Sequence, residues 1–184
     1  TLADRLFAAT LLRLLPDQVT PNHLTIVRFF LVPVVAYFLI TEHTALGLFV
    51  FIVAATTDAL DGALARTRRQ ITDWGRMYDP MADKLLIGVT ALLIVPQFLS
   101  PLFVLLIIAI EMFVIGGAYY FRNRGPRALR ANGWGKAKML FQSVGVGLLI
   151  LHAVIGIPAA VAIAELLLAV SVVLAIASLI TFGI

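Results

Sequence analysis

The chain has 184 residues, of which 61% are hydrophobic and only 13% are charged. A soluble domain of this length cannot bury so much apolar surface, so the composition excludes an ordinary soluble protein and indicates a multi-pass protein of the lipid bilayer. The formal net charge of +4 and the absence of cysteine give no support to a solvated nucleic-acid-binding domain, a disulfide framework or a thiolate metal site.

Seven helices are predicted in chain order. Residues 1–17 carry an apolar stripe opposed by Asp4, Arg5 and Arg13, which predicts a short amphipathic helix lying in the membrane interface. Six spans follow, each near the roughly 20 residues that a bilayer requires, over residues 20–40, 45–66, 80–95, 101–121, 136–154 and 158–182. We expect Thr20 to cap the first span and Pro96 to end the third. The predicted fold is an all-α membrane protein with six transmembrane helices after the interfacial helix, in one domain over residues 1–184, with residues 20–184 as the bundle.

The basic residues all fall on one predicted side of the membrane. Lys and Arg occur in the N-terminal segment, near the start of the first span, between spans two and three, and between spans four and five. The opposite connections, "TEHT", "PQFLS" and "HAVIGI", contain none. The positive-inside rule therefore predicts that both termini lie in the cytoplasm, with the chain in the cell's inner, or plasma, membrane.

Four aspartates lie at the adjoining ends of the second and third spans. Asp58 and Asp61 are three residues apart, and Asp79 and Asp83 are four apart, so each pair shares one helix face. Two antiparallel helices would bring the pairs together, and such close carboxylates repel by several kcal/mol at an effective dielectric of about 20. The cluster must be partly protonated or bind cations. Oxygen ligands without cysteine favour Mg²⁺, then Mn²⁺, and two such ions suit phosphoryl transfer.

Small residues accompany the first acidic pair. Gly62 and Ala65 lie within about 40° of the face that carries Asp58 and Asp61, so a ligand can approach the backbone there. Asp58 precedes Arg66 by about 12 Å along a helix axis, which places the cluster within the inner leaflet and open to the cytoplasm. A substrate with a diphosphate head and acyl tails fits this position.

The acidic segment contains the pattern Asp58-x2-Asp61-Gly62-x2-Ala65-Arg66-x8-Gly75-x3-Asp79-x3-Asp83. Every fixed position matches the signature of the CDP-alcohol phosphotransferase family, which the chain therefore resembles. The stretch "TPNHLTIVR" and the six-span layout are similar to that family as well, so the likeness covers nearly the whole chain. Membership implies a membrane enzyme that moves a phosphatidyl-type group from a CDP-linked donor, such as CDP-diacylglycerol, to an alcohol and releases CMP. It also implies a homodimer.

The resemblance implies a role for each residue of the pattern. Two metal ions would be held by Asp58, Asp61, Asp79 and Asp83. Asp83 would mainly deprotonate the acceptor hydroxyl, since an unassisted alcohol is a poor nucleophile at neutral pH. The nucleotide site would be formed by Gly62, Ala65, Arg66 and Gly75. Three residues near the start of the first span either cap that helix or contact the nucleotide: Asn22, Thr25 and Arg28.

The sequence motifs indicate the acceptor alcohol less specifically than they indicate the family. The stretches "GRMYDPMADK" and "GWGKAKMLFQS" resemble the phosphatidylglycerophosphate synthase branch, although Met139 stands in place of its Thr, and Ile110 in place of the Arg that often precedes Glu111. The stretch "TPNHLT" resembles the inositol-phosphate branch instead. Basic residues on the predicted cytoplasmic side favour a phosphorylated alcohol, glycerol 3-phosphate first and an inositol phosphate second, but they also fit topology alone. The candidate acceptor contacts are Arg122, Arg127, Lys136 and Lys138.

Two other classes of protein are alternatives to the enzyme. A cation-coupled transporter also uses intramembrane carboxylates, but it would more often show repeat symmetry and acids near the bilayer midplane. A non-catalytic scaffold with this fold would usually have lost an aspartate of the pattern. The acids here cluster at one end of the spans and all are present, so the pattern favours the enzyme.

Overall fold

The computed structural model describes residues 20–68, 73–122 and 133–181. These ranges form six α-helices and contain no strand: α1 (Pro21–Ile40), α2 (Thr44–Arg68), α3 (Asp73–Phe98), α4 (Pro101–Arg122), α5 (Gly133–Ile155) and α6 (Pro158–Thr181). The predicted all-helical class is confirmed. The interfacial helix predicted for residues 1–17 lies outside the described residues.

The start of α1 agrees with the local sequence signals. Thr20 has extended backbone angles, φ −100° and ψ 157°, and Pro21 is the first helical residue. The His23 amide donates to the Thr20 carbonyl at 3.0 Å, and the Thr20 amide donates to His23 Nδ1 at 3.3 Å. Proline fits this position because its missing N–H is one that the first helical turn leaves unpaired anyway.

The predicted bounds of α3 were wrong at both ends. The helix begins at Asp73, before the predicted start at Pro80, and continues through Pro96 to Phe98. Beyond Pro96, the Leu99 amide still donates to the Val95 carbonyl at 2.9 Å. Each proline removes one backbone donor, but in an apolar environment the remaining backbone groups are best paired by continuing the helix. The other helices begin and end within a few residues of the predicted positions.

The chain is a multi-pass membrane protein. Within the described ranges, four helical segments are long and apolar enough to cross a bilayer: Pro21–Ile40, Tyr78–Phe98, Gly133–Ile155 and Pro158–Ser178. Two shorter apolar segments, Thr44–Asp58 and Pro101–Phe113, belong to α2 and α4. Large apolar side chains such as Phe30 and Leu102 are exposed, as expected of surfaces that face lipid. The count of six spans stays a prediction.

The chain divides into two compact units at Ala91, inside α3. In the first unit, α1 packs along α2 and buries apolar residues that include Val35, Leu39 and Phe51. The predicted aspartate cluster belongs to this unit. A single domain over the whole chain stays a prediction.

In the second unit, α5 packs along α6, and α4 also contacts α6. Gly145 allows the close approach of α5, because a Cβ atom there would lie 3.0 Å from Leu168 Cγ and 3.3 Å from the Ala164 carbonyl oxygen. The turn to α6 uses Gly156 at a positive φ of 69°, a conformation that favours glycine. A hydrogen bond of 2.7 Å joins His152 Nδ1 and the Ile157 carbonyl across this turn.

Candidate active site

The aspartates of the first unit surround Arg28 of α1. Arg28 Nη2 donates to Asp61 Oδ2 of α2 at 2.5 Å, and Nη1 donates to Asp83 Oδ1 of α3 at 2.5 Å. Nη2 also lies 3.6 Å from Asp58 Oδ1. One guanidinium group therefore connects three helices and touches three of the four predicted site carboxylates.

The fourth carboxylate is held by the preceding turn of α1. The Thr25 hydroxyl donates to Asp79 Oδ1 and also lies 3.3 Å from the Pro21 carbonyl. Thr25 is buried, and it stands three residues before Arg28, on the same face of the helix. Thus one face of α1 contacts two aspartates of α3, Asp79 and Asp83.

The predicted convergence of the two acidic pairs is present in the structure. Asp61 of α2 and Asp83 of α3 bond the same guanidinium, and Asp58 Oδ1 lies 3.6 Å from it. Among the described residues, Arg28 contacts three of the four carboxylates. Buried charges need partners, because desolvation disfavours an isolated ion strongly. Carboxylates gathered in this way favour the binding of a cation.

The donor set suits a hard divalent cation. All four candidate ligands are carboxylates, and the half-exposed Asp58 side chain leaves the cluster accessible to a hydrated ion. As placed, no three His, Asp or Glu side chains of the described ranges form a group that could hold a metal ion. A cation, the guanidinium of Arg28, instead contacts Asp58, Asp61 and Asp83.

The predicted nucleotide residues lie close to the aspartates along the backbone. Gly62, Ala65 and Arg66 belong to the last turns of α2, and Gly75 belongs to the first turn of α3. Asn22 lies in the first turn of α1 and is half-buried. Their roles stay predictions. Thr25 contacts Asp79, and Arg28 contacts carboxylates rather than capping the helix.

One predicted acceptor residue has a partner inside the second unit. Lys138 of α5 is buried, and its Nζ lies 2.5 Å from Glu111 Oε1 of α4. Gln142 Nε2, one turn later on α5, donates to the same oxygen at 2.7 Å. Lys136 is exposed in the first turn of α5, and Arg122 is the last residue of α4. Arg127 lies outside the described residues.

Two contacts were not predicted from the sequence. The first is the convergence of the aspartates on Arg28. The sequence feature that could have indicated it is a single Arg in an otherwise apolar span, three residues after Thr25. An intramembrane charge of this kind requires a partner, but spacing along α1 does not identify it. The second is the pairing of Glu111 with Lys138 and Gln142, which lie on a different helix.

Comparison with known proteins identifies the family. The sequence model of the CDP-alcohol phosphatidyltransferase family matches residues 18–177, and the chain belongs to that family. Its members are generally dependent on divalent metal ions.

Three relatives illustrate the similarity. A Rickettsia prowazekii protein named "CDP-diacylglycerol--glycerol-3-phosphate 3-phosphatidyltransferase" is 36% identical over 139 residues, covering 73% of this chain and 76% of that protein. A Bacillus subtilis protein of the same name is 30% identical over 148 residues, covering 72% and 76%. A human "Cardiolipin synthase (CMP-forming)" is 36% identical over 114 residues, but these cover only 59% of this chain and 38% of that protein.

Proposed function

We propose that this chain is an integral-membrane enzyme that transfers a phosphatidyl group from CDP-diacylglycerol to glycerol 3-phosphate and releases CMP. The observation that carries the reaction class is the gathering of Asp58, Asp61, Asp79 and Asp83 around one face of α1. The donor and acceptor follow from the names of the relatives in Rickettsia prowazekii and Bacillus subtilis.

The four aspartates have two proposed roles, metal binding and proton transfer. The four aspartates would hold two divalent ions, Mg²⁺ or Mn²⁺, which when bound would offset the charge on the departing CMP and polarise the phosphorus. Asp83 accepts the proton of the acceptor hydroxyl. The hydroxyl oxygen forms the new bond to the phosphatidyl phosphorus, and the bond between that phosphorus and the CMP oxygen breaks.

The other predicted site residues would contact the substrates. Gly62, Ala65, Arg66 and Gly75 would form the nucleotide site, together with Asn22 and Thr25. The phosphate of the acceptor would be bound by Arg122, Arg127, Lys136 and Lys138, since phosphate recognition in proteins relies on charge-assisted hydrogen bonds. The site would face the cytoplasm from the inner membrane, in a homodimer. The positive-inside distribution of Lys and Arg supports the sidedness.

The test is CMP release by the purified protein in detergent, supplied with CDP-diacylglycerol and Mg²⁺ and one acceptor per reaction. The acceptors are glycerol 3-phosphate, inositol 1-phosphate, free inositol, serine and buffer alone. Release with glycerol 3-phosphate, lost on chelation and restored by Mg²⁺ or Mn²⁺, is the expected result. Release only with inositol 1-phosphate would retain the reaction and replace the acceptor. No release with any acceptor, despite binding of divalent ions, would favour either a different alcohol as acceptor or a cation-coupled transporter.

A further inference from the structure

We propose that Arg28 is a positioning residue of the acidic site: it anchors Asp61 and Asp83 from the buried side and orients their other oxygens for metal binding and proton transfer. The inference rests on the metal role proposed for the aspartates. It goes beyond that role by assigning a function to a basic residue outside the family signature pattern quoted above.

Burial shows on which side of the cluster Arg28 lies. Its side chain has 0% exposure, that of Asp61 has 5% and that of Asp83 has 17%. The Asp58 side chain, in contrast, is 52% exposed. A hydrated ion that enters the cluster therefore meets Asp58 first and Arg28 last. Arg28 forms the floor of the site, behind the carboxylates.

The guanidinium uses its two terminal nitrogens on two different helices. Nη2 bonds Oδ2 of Asp61, and Nη1 bonds Oδ1 of Asp83, so each carboxylate uses one oxygen for Arg28. The rigid planar fork fixes the distance between α2 and α3 at this level and sets the rotation of both carboxylates. Carboxylates that bind metals are commonly oriented by such outer hydrogen bonds.

The Nε atom of Arg28 differs from the two terminal nitrogens. It is buried and has no hydrogen-bond partner among the described residues, an arrangement that is unfavourable for a polar group in a protein interior. The guanidinium group is thus oriented so that both terminal nitrogens bond aspartates, whereas Nε bonds no described residue. The two carboxylates determine the orientation of the guanidinium, and in return the guanidinium holds them.

Positioning and charge make opposite predictions for metal affinity. If Arg28 acted only as a positive charge near the site, its removal would leave the cluster more negative and strengthen divalent-ion binding. If Arg28 positions Asp61 and Asp83, its removal weakens binding despite the more favourable charge. The sign of the change therefore separates the two roles.

The experiment measures Mn²⁺ affinity by electron paramagnetic resonance on the purified full-length protein in detergent, without substrate. We expect Arg28→Gln to bind Mn²⁺ at least about tenfold more weakly than the unmodified chain, and Arg28→Lys to lie between them, because lysine keeps the charge but lacks the fork. Lys84→Gln is the charge-matched control: it removes one positive charge beside Asp83 from an exposed side chain and should change the affinity by less than about twofold.

Each outcome has a distinct meaning. Unchanged or tighter Mn²⁺ binding in a folded Arg28→Gln protein overturns the positioning role. If that variant does not fold, Arg28→Lys decides by the same criterion, and failure of both to fold overturns the proposal in favour of a purely structural role. The proposed function fails separately: the unmodified chain would then bind no Mn²⁺, or would bind it equally well after Asp58→Asn.

Discussion

Thr25 and Asp79 are hydrogen-bonded although 54 positions separate them in the sequence. The contact joins the second turn of α1 to α3 at Asp79, one turn before Asp83, which bonds Arg28. Two consecutive turns of one helix thereby hold two aspartates of another. The signature aspartates depend on a helix that contributes no carboxylate of its own.

Replacing Thr25 with valine tests this dependence. Valine keeps the β-branched shape but removes the hydroxyl, so Asp79 loses a bond of the charged type, which is worth about 1.5–3 kcal/mol. If most of that loss falls on the transition state, CMP release slows by about tenfold to a hundredfold. Thr25→Ser keeps the hydroxyl and should recover most of the rate. Equal rates for the valine variant and the unmodified chain would show that Asp79 needs no support from α1.

Asp83→Asn tests the proposed general base. The amide keeps the size of the carboxylate but cannot accept the hydroxyl proton, so we expect CMP release to fall by about 10²–10⁴-fold, with thermal stability measured in parallel. Glu165→Gln is the matched control. It neutralises a carboxylate of α6, away from the aspartate cluster in the sequence, and should change the rate by less than about twofold, as for substitutions remote from a site. A rate for Asp83→Asn close to that of the control would remove Asp83 from the chemistry.

Several features of this site could be predicted from the sequence because they depend on residues near one another in the chain. Helical spacing placed Asp58 with Asp61 and Asp79 with Asp83, and Thr20 with Pro21 marked the start of α1. Contacts between helices could not be obtained in this way. Periodicity shows which residues share a face of one helix, but it does not show which neighbouring helix that face meets.

Arg28 and Lys138 illustrate the difference. Lys138 is near the start of a predicted span, where the positive-inside rule already accounts for a basic residue, whereas Arg28 lies further inside its span. Their acidic partners lie on other helices, 33 and 55 residues away for Arg28. The prediction that α3 ends at Pro96 was wrong for another reason. The rule that proline ends a helix does not consider the surroundings, and an apolar environment favours continuing the helix.

The pair formed by Glu111 and Lys138 makes a prediction about stability. Glu111→Gln would leave the buried Lys138 ammonium without its counter-charge, and we expect the free energy of unfolding to fall by about 2–3 kcal/mol, below the range for fully buried pairs because Glu111 is partly exposed. Lys138→Met in the same chain should restore much of the loss. The check is a double-mutant cycle in detergent, read by thermal or denaturant unfolding. Additive effects of the two substitutions would show that the pair does not couple α4 to α5.

The contact between α5 and α6 predicts a contrast between two glycines. Gly145→Ala introduces a Cβ atom 3.0 Å from Leu168 Cγ and 3.3 Å from a backbone oxygen, so it should destabilise the protein by about 1–3 kcal/mol through overpacking. A Cβ atom at Gly116 would meet nothing within 4 Å among the described residues, so Gly116→Ala should be neutral or slightly stabilising because alanine favours a helix. Unfolding temperatures of the two variants provide the measurement. Equal temperatures would contradict the close approach of α5 to α6.

The partners of Arg28 have a consequence for how the protein is made. Translation releases α1 first, while Asp61 and Asp83 are still 33 and 55 residues away. A nascent α1 that enters the bilayer alone carries an uncompensated cation, which disfavours insertion by up to about 3 kcal/mol at the centre of a helix. This cost is removed once α2 and α3 leave the ribosome and bring Asp61 and Asp83 to Arg28. The contacts that build the acidic site therefore also stabilise α1 in the bilayer.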